Sequence, residues 1–382
     1  MAGALMQLVA YGAQDVYLTG RPEITFFKAS YERHTNFALE SIEQTFNGTT
    51  DFGRKVSATI ARSGDLVGPM TLEVSLTGHT GNDSHWPANA GHAIIDEVDI
   101  EVGGQRIDRQ YGWWLQVWSE LTLPSGKETG YGTMVQSTRT AATNVTANVL
   151  YVPLQFWFNR NAGLYLPLIA LQYHEVKCNI TFQSAKYMLT GDTTTPTDTA
   201  TMTAKLYVDY IFLDTDERRE FAQNQHEYLI EQLQFTGAES VAAGSQKVRL
   251  NFNHPVKELM FFSLTDANET AGHYFSYTHQ TTSAKLQLNG HDRFSERGHR
   301  YFTHVQPYYH HTNIPGSAIY CYSFALKPEE HQPSGTCNFS RIDNATLQLT
   351  NAVGSDGNMT ICATNYNIFR VVSGMGGLAY AN

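Results

Sequence analysis

Charged residues are scarce in this sequence. Asp, Glu, Lys and Arg make up 16% of its 382 positions, well under the quarter usual for a soluble domain. The 26 basic residues are outnumbered by 36 acidic ones, for a formal charge of −10, and no Lys/Arg block occurs anywhere. Coating nucleic acid needs a basic face to release counterions, so no direct nucleic-acid partner is expected. Long apolar runs are missing too. The most apolar stretch, residues 163–172, is half a bilayer span and contains Pro167, so no membrane insertion is expected. The first ten residues lack the basic segment of a secretory signal. Cysteine is sparse: Cys178, Cys321, Cys337 and Cys362 are scattered without a Cys-x-x-Cys pair, each in an apolar strand-like setting. Four buried free thiols and folding in a cytosol follow as expectations.

Catalytic signatures are also lacking. There is no Gly-x-Ser-x-Gly elbow, no P-loop and no His-Glu-x-x-His. Gly374-Met-Gly-Gly377 is glycine-rich, but no helix follows it to cradle a phosphate. Glu329-Glu330 lie beside Pro328 and Pro333 and read as a solvated turn. Histidine is the one enzymatic lure, since eight of the fifteen fall between His273 and His331. A cupin metal site needs a His-x-His on one strand, and none occurs. His310-His311, if on a strand, would face opposite ways. The expectation is no catalytic residue, no metal and no cofactor.

What is abundant is the aromatic content, with 21 Tyr and 20 Phe, and period-two alternation. In Thr71–Thr77, Leu72, Val74 and Leu76 point one way while Thr71, Glu73, Ser75 and Thr77 point the other. Asn289-Gly290 is a type I′ hairpin signal. Two helices are predicted. One carries Tyr111, Trp114, Leu115, Trp118 and Leu121 and stops at Pro124; the other is Asp216–Gln223, with Asp216 as the N-cap candidate.

The sequence also repeats itself. Phe37–Gln44 resembles Tyr228–Phe235, Arg54-Lys-Val56 is echoed by Gln246-Lys-Val248, and Ile100–Arg106 by Leu286–Arg293. Tyr151–Trp157 matches Ile319–Ala325, and Tyr207–Phe212 matches Thr364–Phe369. Like segments in like order point to a tandem duplication. Each half accommodates eight strands, in the first half at 37–46, 54–61, 70–77, 94–102, 105–110, 150–157, 173–183 and 204–213. The predicted fold is all-β: two tandem eight-stranded jelly-roll β-sandwiches with a few short helices. The predicted organisation is an N-terminal arm (1–30), a first jelly roll (31–215), a linker helix (216–225) and a second jelly roll (226–382).

Several longer motifs carry a family resemblance. Tyr11–Gly20 with Ile24–Lys28 and Arg33–Phe37, Phe156-Trp-Phe-Asn-Arg160 and Leu166–Val176 are similar to the major capsid proteins of nucleocytoplasmic large DNA viruses. So are Asp216-Glu-Arg-Arg219, Phe252–Glu258, Pro333-Ser-Gly335 with Asn338–Asp343, Asn365-Tyr-Asn367 and Gly374–Gly377. The sequence departs from the usual pattern at Arg21-Pro-Glu and at Phe261-Phe262, where a tryptophan is usual. The resemblance implies a structural protein of the virion, made and assembled in the host cytoplasm. It implies a homotrimer of pseudo-hexagonal outline tiling an icosahedral shell. It also implies contacts with neighbouring capsomers and with minor capsid and penton proteins, near an inner membrane but not inserted in it. The alternative on the same fold is a bicupin-like metalloenzyme or a glycan-binding protein.

Eight Asn-x-Ser/Thr sequons occur. Asn179, Asn338 and Asn344 fall in predicted strands, whereas Asn47, Asn82, Asn144 and Asn268 fall in loops and are the candidate glycosylation sites. In a jelly roll the loops after the first, third, fifth and seventh strands gather at one end. In the first half these are long and polar, and the opposite set is terse, so the long set is expected to face solvent.

Overall fold

The computed structural model describes residues 3–77, 79–82, 85–139, 143–145, 147–189, 201–352 and 356–381. Met1–Asn36 form one unit and Phe37–Asn382 another. In the first unit, short helices span Gly3–Val9 and Val16–Thr19, and neither buries a side chain.

The first half of the larger unit contains β1 (Phe37–Gln44), β2 (Lys55–Thr59), β3 (Leu66–Leu76) and β4 (Ile95–Val102). It continues with β5 (Gln105–Tyr111), β6 (Asn148–Pro153), β7 (Val176–Phe182) and β8 (Met202–Leu213). One antiparallel sheet runs β1-β8-β3-β6 and the other β2-β7-β4-β5. The second half contains β9 (His226–Val241), β10 (Gly244–Leu250), β11 (Pro255–Thr265) and β12 (Thr281–Leu288). After these come β13 (His291–Asp292), β14 (Tyr320–Ser323), β15 (Ala345–Asn351) and β16 (Gly357–Val372). Its sheets run β9-β16-β11-β14 and β10-β15-β12-β13, the same order strand for strand. The fold is thus two tandem jelly rolls, as the alternation predicts.

The duplication extends to register. Glu40 pairs with Tyr210 across β1 and β8, and their counterparts Glu231 and Tyr366 pair across β9 and β16. Both repeats turn through the same hairpin after their fourth strand. Gly103 and Gly104 have φ of 58° and 84°, and Asn289 and Gly290 have 49° and 82°, the pair of left-handed residues a type I′ turn requires. On β3 the alternating residues Leu72, Val74 and Leu76 are buried. Each fully buried side chain of this size contributes about 1.5–3 kcal/mol. The core they join is continuous with that of the second barrel.

The aromatic helix α1 (Gly112–Thr122) buries Trp114, Leu115, Trp118 and Leu121 and ends at Leu123, ahead of Pro124. The second helix, α2 (Thr215–Gln223), is capped two residues earlier than expected. Asp214 is its N-cap and accepts from the Thr215 amide, while Asp216 sits in the first turn. An acid there favours the N-terminal dipole without capping it. Arg218 reaches back to Asp65 at 2.9 Å, and Asp65 also accepts from the Leu213 amide. Of the four free thiols, Cys178, Cys321 and Cys362 are buried, whereas Cys337 is half-buried near the start of the second barrel's β11.

Candidate functional site

The first barrel's β3 alternates between buried and half-buried residues, but its counterpart β11 is buried on both faces from Val256 to Ser263. The second face of β11 is covered by the junction between the barrels. There Trp113 stacks on Tyr111 at 5.2 Å and meets Phe235 and Phe262 at 5.1 and 5.5 Å. Asp108 accepts from the Leu233 amide at 3.1 Å, and Gln232 donates to the Ile107 carbonyl. Farther along, Asn313 donates to the carbonyls of Glu120 and Leu121, and Tyr274 stacks on Tyr187 at 3.6 Å.

A chain of buried charges runs through the same junction. Arg160 of the first barrel pairs with Glu231 at 3.2 Å, and Glu231 pairs with Lys257 at 2.7 Å. Lys257 is the extra residue where the register between β11 and β16 shifts, and it also donates to the Pro328 carbonyl. This bulge sets two successive side chains, Lys257 and Glu258, both into the interior. Glu258 pairs with His311 at 3.1 Å, and His311 with Glu329 at 2.9 Å. Three cations thus face three anions. Burial pushes the Glu231 carboxyl up, but Arg160 and Lys257 outweigh it and hold the carboxyl below its ordinary range. Burial pulls the His311 imidazole down, but Glu258 and hydrogen bonds to Cys321, Glu258 and Glu329 raise it to about 12. For Asp108 burial wins: it pushes the carboxyl up to about 7 despite the bonds from Leu233 and Gln110 and the charge of Arg160.

One expectation is corrected here, and one conditional reading does not apply. Glu329 is not a solvated turn residue: its carboxylate accepts from His311 and Thr312, and only Glu330 is the exposed partner of Lys327. His310-His311 lie at the end of a helix, Gln306–His310, and not on a strand, so His311 turns fully inward while His310 bonds the Leu326 carbonyl. The Gly374–Gly377 motif forms a hairpin. β17 (Met375–Leu378) pairs with β16, and Gly374 and Gly376 bond the Tyr173 amide and His174 of the first barrel. A side chain at Gly376 would meet Leu171 at 2.6 Å and Phe369 at 2.9 Å, which is why the position is bare.

The candidate glycosylation sites do not converge on one pocket. Asn47 is exposed on a two-residue strand, Phe46–Asn47, beside β2. Asn82 and Asn144 lie on a ribbon in which His79–Asn82 pairs with Thr143–Val145. The ribbon joins the loops after β3 and β5, two of the four expected at one end. Asn268 sits in the short helix Asp266–Thr270, and its amide donates to the Ser276 carbonyl at 2.8 Å. Of the strand sequons, Asn179 donates to Asp99 and Glu101, Asn338 caps a turn, and Asn344 falls just outside β15. Among the described residues no group of three or more His, Cys, Asp or Glu is placed to hold a metal.

The charge chain leaves no mark on composition or periodicity, although three of its members stand in the longer family-like motifs. Arg160 ends Phe156–Arg160, and Lys257 and Glu258 end Phe252–Glu258. Asn365 is fully buried, and Asn367 donates to Gln232 and to the Tyr380 carbonyl. Phe156–Arg160 and Gly374–Gly377 each contribute a residue that joins the barrels, and Phe252–Glu258 contributes Lys257, which pairs with the same Glu231 as Arg160.

Comparison with known proteins agrees with this geometry. Residues 25–214 match the model of the major capsid protein N-terminus, and residues 217–377 that of the large eukaryotic DNA virus major capsid protein. The chain is 50% identical to the major capsid protein of Pyramimonas orientalis virus and 44% identical to that of Paramecium bursaria Chlorella virus 1, over the whole of each chain. It superposes on the crystal structure of PBCV-1 VP54 with a TM-score of 0.86 at 39% identity, covering 94% of this chain and all of that one. The Faustovirus major capsid protein shares the fold, with a TM-score of 0.79 at 12% identity.

Proposed function

The chain belongs to the major capsid proteins of large eukaryotic DNA viruses, and on that premise we propose that it builds an icosahedral shell as a homotrimer of pseudo-hexagonal outline. Its role is structural and not enzymatic. The observation that supports the trimer is the matched register of the two sandwiches, which makes each chain nearly two copies of one building block. Threefold repetition of such a pair gives six barrels and a near-sixfold outline that packs in a plane. Apolar side chains left in solvent supply contact area: Phe37 and Leu39 on β1, Tyr308 and Tyr309, and Leu326. Obligate interfaces bury more than about 2,000 Å² and resemble a core cut in half. Light scattering on the purified protein tests this, with an expected mass three times the 42.7 kDa chain. A stable monomer or dimer at micromolar concentration would refute it.

In this reading the partners are neighbouring capsomers and minor capsid and penton proteins, assembled in the host cytoplasm beside an inner membrane that the chain does not enter. Among the described residues no helix is long and apolar enough to cross a membrane. The long-loop end, including the ribbon with Asn82 and Asn144, faces outward, and any glycan on Asn47, Asn82, Asn144 or Asn268 decorates that end. A short epitope inserted at 80–86, or at 191–198 outside the described residues, tests the polarity. Antibody labelling of intact particles is expected, and labelling only of broken ones would reverse the assignment.

A further inference from the structure

We infer that the loop end of the second barrel carries a binding site for an anionic oligosaccharide bearing sulfate or carboxylate groups. Residues 279–304 contain Lys285, three arginines and four histidines against only Asp292 and Glu296, in a chain whose balance is −10. The structure divides these charges into paired and free. Lys285 is occupied by Asp292 at 2.8 Å, and Glu296 is turned to the hydroxyls of Ser283 and Thr350. Arg297 and Arg300 are exposed, and among the described residues neither has a carboxylate within ion-pair distance. The Arg297 guanidinium lies 4.7 Å over the Tyr301 ring. These residues and His299 line an open cavity of about 580 Å³.

A second chain segment adds to the same spot. His279, in the loop before β12, has its ring 5.1 Å from His299. Burial first, and then His299, His304 and Arg300, hold its imidazole below the ordinary value. Arg297 and Arg300 therefore share this end with His279 and His299, and the one carboxylate on the cavity wall, Glu296, is held by the Ser283 and Thr350 hydroxyls. Arg297-Gly298 pairs with Ala284-Ser283 near the start of β12, where Thr281 also meets Asn351 at the end of β15. That is the end where the loops after β11 and β15 leave the sandwich.

Guanidinium forks match sulfate and carboxylate groups, holding them through paired charge-assisted hydrogen bonds. The Tyr301 ring beneath Arg297 seats the guanidinium fork and fixes its direction. The cluster is compact within an acidic molecule, so it suits a short anionic ligand and not the long track that duplex nucleic acid needs.

Calorimetry with a heparin-derived hexasaccharide, its desulfated counterpart and inorganic pyrophosphate tests the site on the assembled protein. Two phosphate-like contacts predict a roughly tenfold loss of affinity for the sulfated hexasaccharide between about 50 and 200 mM salt. Arg297→Ala/Arg300→Ala is expected to weaken binding at least about tenfold, with an unchanged melting temperature because both side chains are exposed. Tyr301→Leu should weaken the hexasaccharide and pyrophosphate alike, because the ring seats the Arg297 fork that both would use. Equal binding of the desulfated sugar would overturn the inference, as would an equal loss in Arg341→Ala, a basic site elsewhere in the same barrel. Pyrophosphate binding as tightly as the hexasaccharide would reduce the site to a simple oxyanion pocket and overturn the saccharide assignment.

Discussion

Replacing Lys257 by methionine should be among the most damaging single substitutions in the body of the protein. The ammonium is fully buried, 2.7 Å from Glu231, and donates to the Pro328 carbonyl. Methionine fills a similar volume but leaves Glu231 with Arg160 alone and leaves the carbonyl unpaired. Removing one partner of a buried ion pair costs about 3–5 kcal/mol. For 382 residues unfolding as one unit at ~2.1 cal/mol/K per residue, the unfolding entropy is roughly 0.8 kcal/mol/K. The expected fall in Tm is therefore about 4–6 °C. Lys257→Met combined with Glu231→Leu should recover part of that loss, because the stranded carboxylate is gone, although Arg160 then lacks its partner. Differential scanning calorimetry of the four members of this cycle gives the coupling directly. A fall below about 1 °C in the single variant, or a double variant equal to the sum of its parts, would refute the account of the junction as an interdependent charge chain.

Other perturbations have equally definite signs. Asp108, raised to about 7, binds its proton more tightly when folded, so its contribution is full below about pH 4 and is lost as pH rises to 7; His92, which burial lowers to about 4, contributes fully above about pH 6.5 and loses it as pH falls to 4. The two slopes oppose each other between pH 4 and 6.5, so Asp108→Asn should make Tm rise with pH relative to the parent and His92→Gln should make it fall; parallel profiles in a pH-series of thermal melts would count against both assignments. Gly376→Ala drives a methyl into Leu171 and Phe369 and should cost about 1–3 kcal/mol, read as faster hydrogen exchange at the Gly376 amide and through β17. Deleting residues 1–25, where Leu8, Leu18 and Ile24 are solvent-exposed, should leave the oligomer intact on size exclusion but impair shell assembly, and loss of the oligomer itself would contradict that division.

The strands were legible because their side chains alternate. Leu72, Val74 and Leu76 declare one buried face, and Asn289-Gly290 declares a turn that needs two left-handed residues. The duplication reappears in the pairing, where Glu40 with Tyr210 and Glu231 with Tyr366 occupy corresponding registers. What the sequence hid was the second buried face. Val256–Ser263 has no alternation to read, because its other side is covered by separate segments, Trp113 from the first barrel and Glu231, His311 and Pro328 from the second. For the same reason His311 and Glu329 looked like surface polar groups: their partners, Glu258 and each other, meet only when β11 is in place. The Asp214 cap was missed by two residues because Asp216 offers the same side chain.

A strand that is complete only against another barrel constrains the order of synthesis. Residues 37–213 emerge from the ribosome first, so Arg160 and Trp113 are made before their partners Glu231 and Phe262 have been translated. The later repeat supplies those partners, and the Gly374–Gly377 hairpin, translated after both barrels' other strands, bonds back to His174 of the first. Swapping the order of the two repeats in the gene would preserve every strand and every register, yet it would ask β11 to bury Lys257 before its counter-surface existed. Such a permuted chain should stall as a compact, aggregation-prone intermediate during translation, a fate the natural order avoids.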